Sequence, residues 1–167
     1  LARVQKKNRQ QAQSKLTKVV NGKRQLIHNP PFIVRLADTE ADTRQWLTDL
    51  FTAYYNSLEE SRKALMARYH LVDVAHKIVG VGSVGTRCFV SYWQGNDEAD
   101  PLFLQIKQAN VSLLEPYLGR SEYPASGQRV VVGQRLMQAT SDIFLGYTHS
   151  GGHDYFVRQL FDAKGSV

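Results

Sequence analysis

The sequence predicts an α+β protein: an N-terminal helical extension, then a five-stranded antiparallel sheet with one main helix. Three observations carry this reading. Apolar residues recur at helical spacing between 40 and 69. β-branched and aromatic runs then follow one another at 72–81, 86–93 and 102–106, separated by turn residues. A further helical run at 126–140 precedes two strand-like runs, 142–148 and 154–160.

Residues 3–20 are rich in Gln, Lys and Arg and read as a helix that Asn21-Gly22 stops, because both residues tolerate positive φ. Pro30-Pro31 forces extended backbone, so Phe32-Ile33-Val34 is expected as a short strand or an anchoring arm. Thr39, with Asp42 three residues on, makes a variant of the capping box. Behind it Trp46, Leu47, Leu50, Phe51 and Tyr54 form one apolar stripe, and Leu58, Ala64, Leu65 and Tyr69 a second. That stripe reads as core, in one long helix or two short ones. Gly95-Asn96-Asp97 supplies a turn before the strand Leu102–Ile106, which reaches Lys107. Three strands in series with short connections predict an antiparallel meander. Residues 112–117 read as a helical turn. The helix at 126–140 is expected to bury Val130, Val131, Leu136 and Met137, and Ser150-Gly151-Gly152 turns the last two strands.

At 167 residues, with 43% apolar and 22% charged residues, the chain supports a core without metals or disulfides. Cys88 is the single cysteine, which excludes an internal disulfide and a zinc site built on paired cysteines. That usage fits a cytoplasmic setting. No apolar run approaches the roughly 18 residues of a membrane span. The net charge of +6 is a property of one end. Residues 1–37 carry nine cations and no acid: Arg3, Lys6, Lys7, Arg9, Lys15, Lys18, Lys23, Arg24 and Arg35. The remainder holds 12 basic and 15 acidic residues. Such an end suits a solvated arm, or one that engages nucleic acid or another anion through counterion release. No aromatic residue interleaves the cations before Phe32, so base stacking is not on offer there.

Gly80-Val81-Gly82-Ser83-Val84-Gly85 matches G-x-G-x-x-G. Glycines let backbone N–H groups approach phosphate oxygens with no Cβ in the way. A dinucleotide fingerprint opens a helix directly after such a loop. Here strand-forming residues follow, so the loop is expected to join two strands, as the glycine-rich flap of kinases does. Kinases place a lysine on the next strand to pair with the α and β phosphates, and Lys107 closes the apolar strand Leu102–Ile106. The expected phosphate-contact set is Gly80, Gly82, Ser83, Val84, Gly85 and Lys107.

Several longer segments carry a resemblance. They are 79–87, 102–107, Gly127–Val131, Gly133–Gln138, Ser141-Asp142, Phe144–Gly146 and Val157–Leu160, with similarity extending upstream through Pro30-Pro31 and Tyr69 to Lys77. In them the chain resembles domain-of-unknown-function family 2252, bacterial proteins grouped with the protein-kinase and aminoglycoside-phosphotransferase-like folds. The resemblance implies a basic arm with helices over residues 1–69 and a kinase-like small lobe over 70–167. It also implies the N-terminal part of a longer parent, which would supply the missing C-terminal lobe. That parent is then either an ATP-dependent phosphotransferase, with ATP and Mg²⁺ as cofactors, or a pseudokinase, and no cofactor is required for the present chain.

Some positions depart from the kinase pattern. Arg87 stands where kinases favour a valine against adenine, and Gln105 where they place an alanine. Kinases pair the lysine with a helix glutamate; the helix at 126–140 holds no acid, with Val132 where the family pattern has Glu. Glu115 and Glu122 are the nearby alternatives. No catalytic loop or metal-binding Asp is recognised, so the chain alone is expected to transfer no phosphoryl group. His153-Asp154 falls in a turn and reads as coincidence. His28, His70, His76, His149 and His153 form no H-x-x-x-H pair on a helix: His149 and His153 have that spacing but flank a glycine turn, where they could meet but read as solvated. Cys88, mid-strand, reads as a buried inert thiol. The leading function is therefore a lobe that holds nucleotide phosphates. The alternative is a non-catalytic module with a basic arm for an anionic partner. Self-association is expected from an exposed lobe face.

Overall fold

The computed structural model describes residues 2–36, 41–78, 85–139 and 142–160. A helix, α1 (Ala2–Leu16), opens the chain. Two short strands follow, β1 (Thr17–Val20) and β2 (Lys23–Leu26), and then β3 (Ile33–Arg35). Next come α2 (Ala41–Asn56) and α3 (Glu60–Met66). The strands β4 (His70–Lys77), β5 (Cys88–Gln94) and β6 (Pro101–Ala109) run in series. The short helix α4 (Glu115–Leu118), then α5 (Ser126–Met137), β7 (Gly146–Ser150) and β8 (His153–Gln159) complete the order.

The α+β expectation stands, with corrections. The main sheet has six strands, in the order β3-β4-β5-β6-β8-β7, and β1 and β2 form a separate two-stranded sheet. The five-stranded sheet gains β3 at its edge, where Ile33, Val34 and Arg35 pair with Lys77, His76 and Ala75. Nor is there one main helix, since α2 is longer than α5.

The first helix also ends earlier than expected. Asn21 and Gly22 both take positive φ, 52° and 74°, the conformation of a two-residue hairpin turn. Thr17 pairs with Leu26 and Val20 with Lys23 across it. The dipeptide read as a helix stop is a hairpin signal. Thr39 of the expected capping box lies outside the described residues. In α5 the buried positions are Gly127 and Val131, one turn apart, while Leu136 and Met137 are exposed.

The chain divides into two compact units. The first comprises Leu1–Ala37, Ala67–Gln105 and Gln159–Val167. Its core sets Ala12 and Leu16 of α1 with Leu26, Ile33, Ala75, Val90, Tyr92 and Phe103, and the Tyr92 and Phe103 rings stack at 5.0 Å. Asp73 ties the pieces together, accepting from the Leu26 N–H at 2.8 Å and from Arg35 Nε at 2.7 Å.

The second unit comprises Asp38–Met66 and Ile106–Arg158. There Leu50, Tyr54 and Leu58 are buried, as the stripe predicts. The Tyr54 hydroxyl donates to the Phe144 carbonyl at 2.7 Å, and Thr148 Oγ1 to the Leu50 carbonyl at 2.8 Å. These bonds fasten α2 to β7 and to the segment leading into it. Gly127 lets α5 approach β8: a Cβ there would lie 2.3 Å from the Tyr155 carbonyl oxygen. Among the described residues no helix is long and apolar enough to cross a membrane.

Candidate functional site

β4 and β5 run antiparallel, with Ala75 opposite Val90 and His76 opposite Phe89. Residues 78–87 therefore connect the ends of two neighbouring strands. The His76 and Phe89 rings meet edge to face at 5.4 Å, and the Ile78 N–H donates to the Phe32 carbonyl at 2.9 Å. Strand pairing thus holds the first stem of the connection on both sides. Gly85 has φ +80°, with nothing within 4 Å of a would-be Cβ. The next element is the strand β5, beginning at Cys88, so no helix opens after the glycines. Gly80, Gly82, Ser83 and Val84 lie outside the described residues, and Gly85 alone of the expected glycine set is placed.

Lys107 sits on β6, half-buried. Strand alternation gives Phe103, Gln105, Lys107 and Ala109 one face of β6. Gly85 belongs to the first unit and Lys107 to the second. Among the described residues Lys107 has no ion-pair partner. Glu115 and Glu122, its proposed carboxylate alternatives, are half-buried and exposed respectively, and neither pairs with it. Gln105 is buried and donates from Nε2 to Cys88 Sγ at 3.8 Å. The thiol is therefore buried in the sheet, as its position predicts.

Asp154 has a structural role. One carboxylate oxygen accepts from the Ser126 N–H at 2.6 Å, at the first turn of α5, and the other meets His149 Nδ1 at 2.7 Å. Ala125, at the N-cap, has no side chain able to accept, so Asp154 supplies that acceptor from the neighbouring hairpin. His153 instead contacts Gln108 Nε2 at 3.4 Å. Among the described residues no three His, Cys, Asp or Glu side chains group as a metal site.

The basic end is partly neutralised within its own unit. Arg9 meets Asp100 at 3.4 Å, Arg24 meets Glu98 at 3.6 Å, and Arg35 meets Asp73 at 2.7 Å. The Tyr69 hydroxyl also donates to Asp100, at 3.1 Å. Burial is the main cause that raises its phenol above the ordinary value. Reading along the sequence missed Asp73, Glu98 and Asp100, because each meets its cation only through the fold. Lys18 and Lys23 stay exposed on the β1–β2 hairpin.

No curated protein and no solved structure matches the chain. The model of the family described as uncharacterized protein conserved in bacteria (DUF2252) matches residues 1–167. The chain belongs to this bacterial family.

Proposed function

We propose that this chain is a kinase-like small lobe whose glycine-rich segment and Lys107 hold nucleotide phosphates. The observation that carries the reading is strand order. The glycines join adjacent antiparallel strands β4 and β5, and the next strand, β6, bears the lysine. A helix and a hairpin then follow, with β8 beside β6 and β7 at the edge. Both chemical parts suit a phosphate: glycine N–H groups free of Cβ obstruction, and the ammonium of a lysine on the next strand.

The ligand contacts are weighted towards phosphate. Arg87 and the buried Gln105 stand where kinases place a valine and an alanine, which weakens the case for adenine contact. Phosphoryl transfer also needs an Asp to position the acceptor and Mg²⁺ ligands. In this reading they belong to a separate lobe, and ATP with Mg²⁺ serves the assembled protein. Calorimetric titration of the chain with Mg-ATP, against a Lys107→Ala variant, tests the proposal. The variant should bind at least about tenfold more weakly, the loss of one charge-assisted contact. Equal affinity removes Lys107 from the site.

The alternative, an anionic partner on the basic end, draws on exposed Lys18 and Lys23. It requires affinity that falls with salt, at a log–log slope of about −0.9 per duplex phosphate neutralised.

A further inference from the structure

Five large apolar side chains stand in the solvent within one stretch of the second unit. Val111, Leu113, Leu114, Tyr117 and Leu118 are each at least 60% exposed, and Leu113 is 90% exposed. The helix in this stretch, α4, has four residues and buries none of them. Helices this short gain their stability from tertiary packing. Local bonds do shape the segment: the Leu114 N–H donates to Ser112 Oγ at 3.2 Å, and the Gly119 N–H to the Glu115 carbonyl at 3.0 Å. Upstream, Arg129 Nη2 donates to the Asn110 carbonyl at 2.7 Å. The segment is thus held in place and presents its apolar side chains outward, uncovered by its own unit.

We infer that residues 111–122 form the interface of a homodimer, a second copy of this chain covering the patch across a two-fold axis. Area is the first argument. Five such side chains present on the order of 600 Å² of apolar surface, the upper end of what a monomer carries in one patch. With a polar rim this approaches the roughly 800 Å² per partner of a stable interface. Charge is the second. The stretch bears Glu115, Arg120 and Glu122, both signs and close to neutral. It therefore does not repel its own copy as the basic end would, and a two-fold axis can set Glu115 of one copy against Arg120 of the other. This inference is independent of the nucleotide proposal.

Sedimentation velocity on the 167-residue chain, from about 1 to 100 μM, tests it. The wild-type chain should pass from monomer to dimer in that range. Leu113→Glu and Leu118→Glu should each raise the dissociation constant at least tenfold with unchanged circular dichroism, because neither position contributes to the core. Val19→Glu, at an exposed apolar position of the first unit, should leave it unchanged. Glu115→Arg should weaken the dimer, and adding Arg120→Glu should restore it. A wild-type monomer at the highest concentration overturns the inference and reserves the patch for a different partner. A dimer indifferent to Leu113→Glu and Leu118→Glu overturns it as well.

Discussion

Arg35 and Asp73 meet at 2.7 Å, and the Asp73 carboxylate is almost wholly buried. The same oxygen accepts from the Leu26 N–H, so one side chain joins β2, β3 and β4. Removing it leaves a half-buried guanidinium and a buried amide without their acceptor. Asp73→Ala should cost about 3–5 kcal/mol, the usual penalty for breaking a buried pair from one side. Asp73→Asn, which keeps an acceptor, should cost less. Urea denaturation measures both; near-equal stability of Asp73→Ala and wild type would show that the carboxylate holds nothing.

Two glycines of α5 should respond in opposite directions. A Cβ on Gly127 would meet the Tyr155 backbone carbonyl at 2.3 Å, whereas at Gly133 nothing lies within 4 Å. Gly127→Ala should destabilise by about 1–3 kcal/mol through overpacking. Gly133→Ala should stabilise by about 0.5–1 kcal/mol through helix propensity. Thermal melts of the two variants check the sign of each.

The alkaline limb of stability should report on Tyr54. Burial, and then the Asp142 charge, raise its phenol above the ordinary 10.0. The folded chain thus holds this proton more tightly than the unfolded chain does. Its contribution is complete below the unfolded value and is lost as pH rises above it. Tyr54→Phe should cost about 1 kcal/mol at neutral pH, through the lost bond to the Phe144 carbonyl. It should also flatten the fall in melting temperature between about pH 9 and 11. An unchanged alkaline slope would contradict burial as the cause.

The hairpin at residues 17–26 shows where sequence reading reaches its limit. A Gln, Lys and Arg run favours helix, and Thr17 to Val20 continues it with no breaker. What makes those four residues a strand is pairing with Lys23–Leu26 through the Asn21-Gly22 turn. By contrast, β4, β5, β6 and β8 were legible, because β-branched and aromatic runs bounded by glycine have few alternatives. The charges were not. Arg9 and Asp100 stand 91 residues apart, and no local pattern announces their meeting. Of the candidate site, the strand setting of the glycine segment could be read from the residues after Gly85. The burial of Gln105 beside Cys88 could not, since it depends on what lies across the sheet.

Gly22→Ala gives a sharp test of the hairpin. Gly22 has φ +74° with open space around it, so the cost is backbone strain alone. A loss of about 1–2 kcal/mol is expected. A neutral result in urea denaturation would mean that the turn is not of this type.

The central claim is that the glycine-rich segment receives phosphate. Amide chemical shifts of the isotope-labelled chain during Mg-ATP titration test it most directly. The account predicts saturable shifts at Gly80, Gly82, Ser83, Val84 and Gly85, weakened in Lys107→Ala and reproduced by Mg-tripolyphosphate. Shifts confined to Lys18, Lys23 and their hairpin, with the glycine amides unmoved, would contradict it.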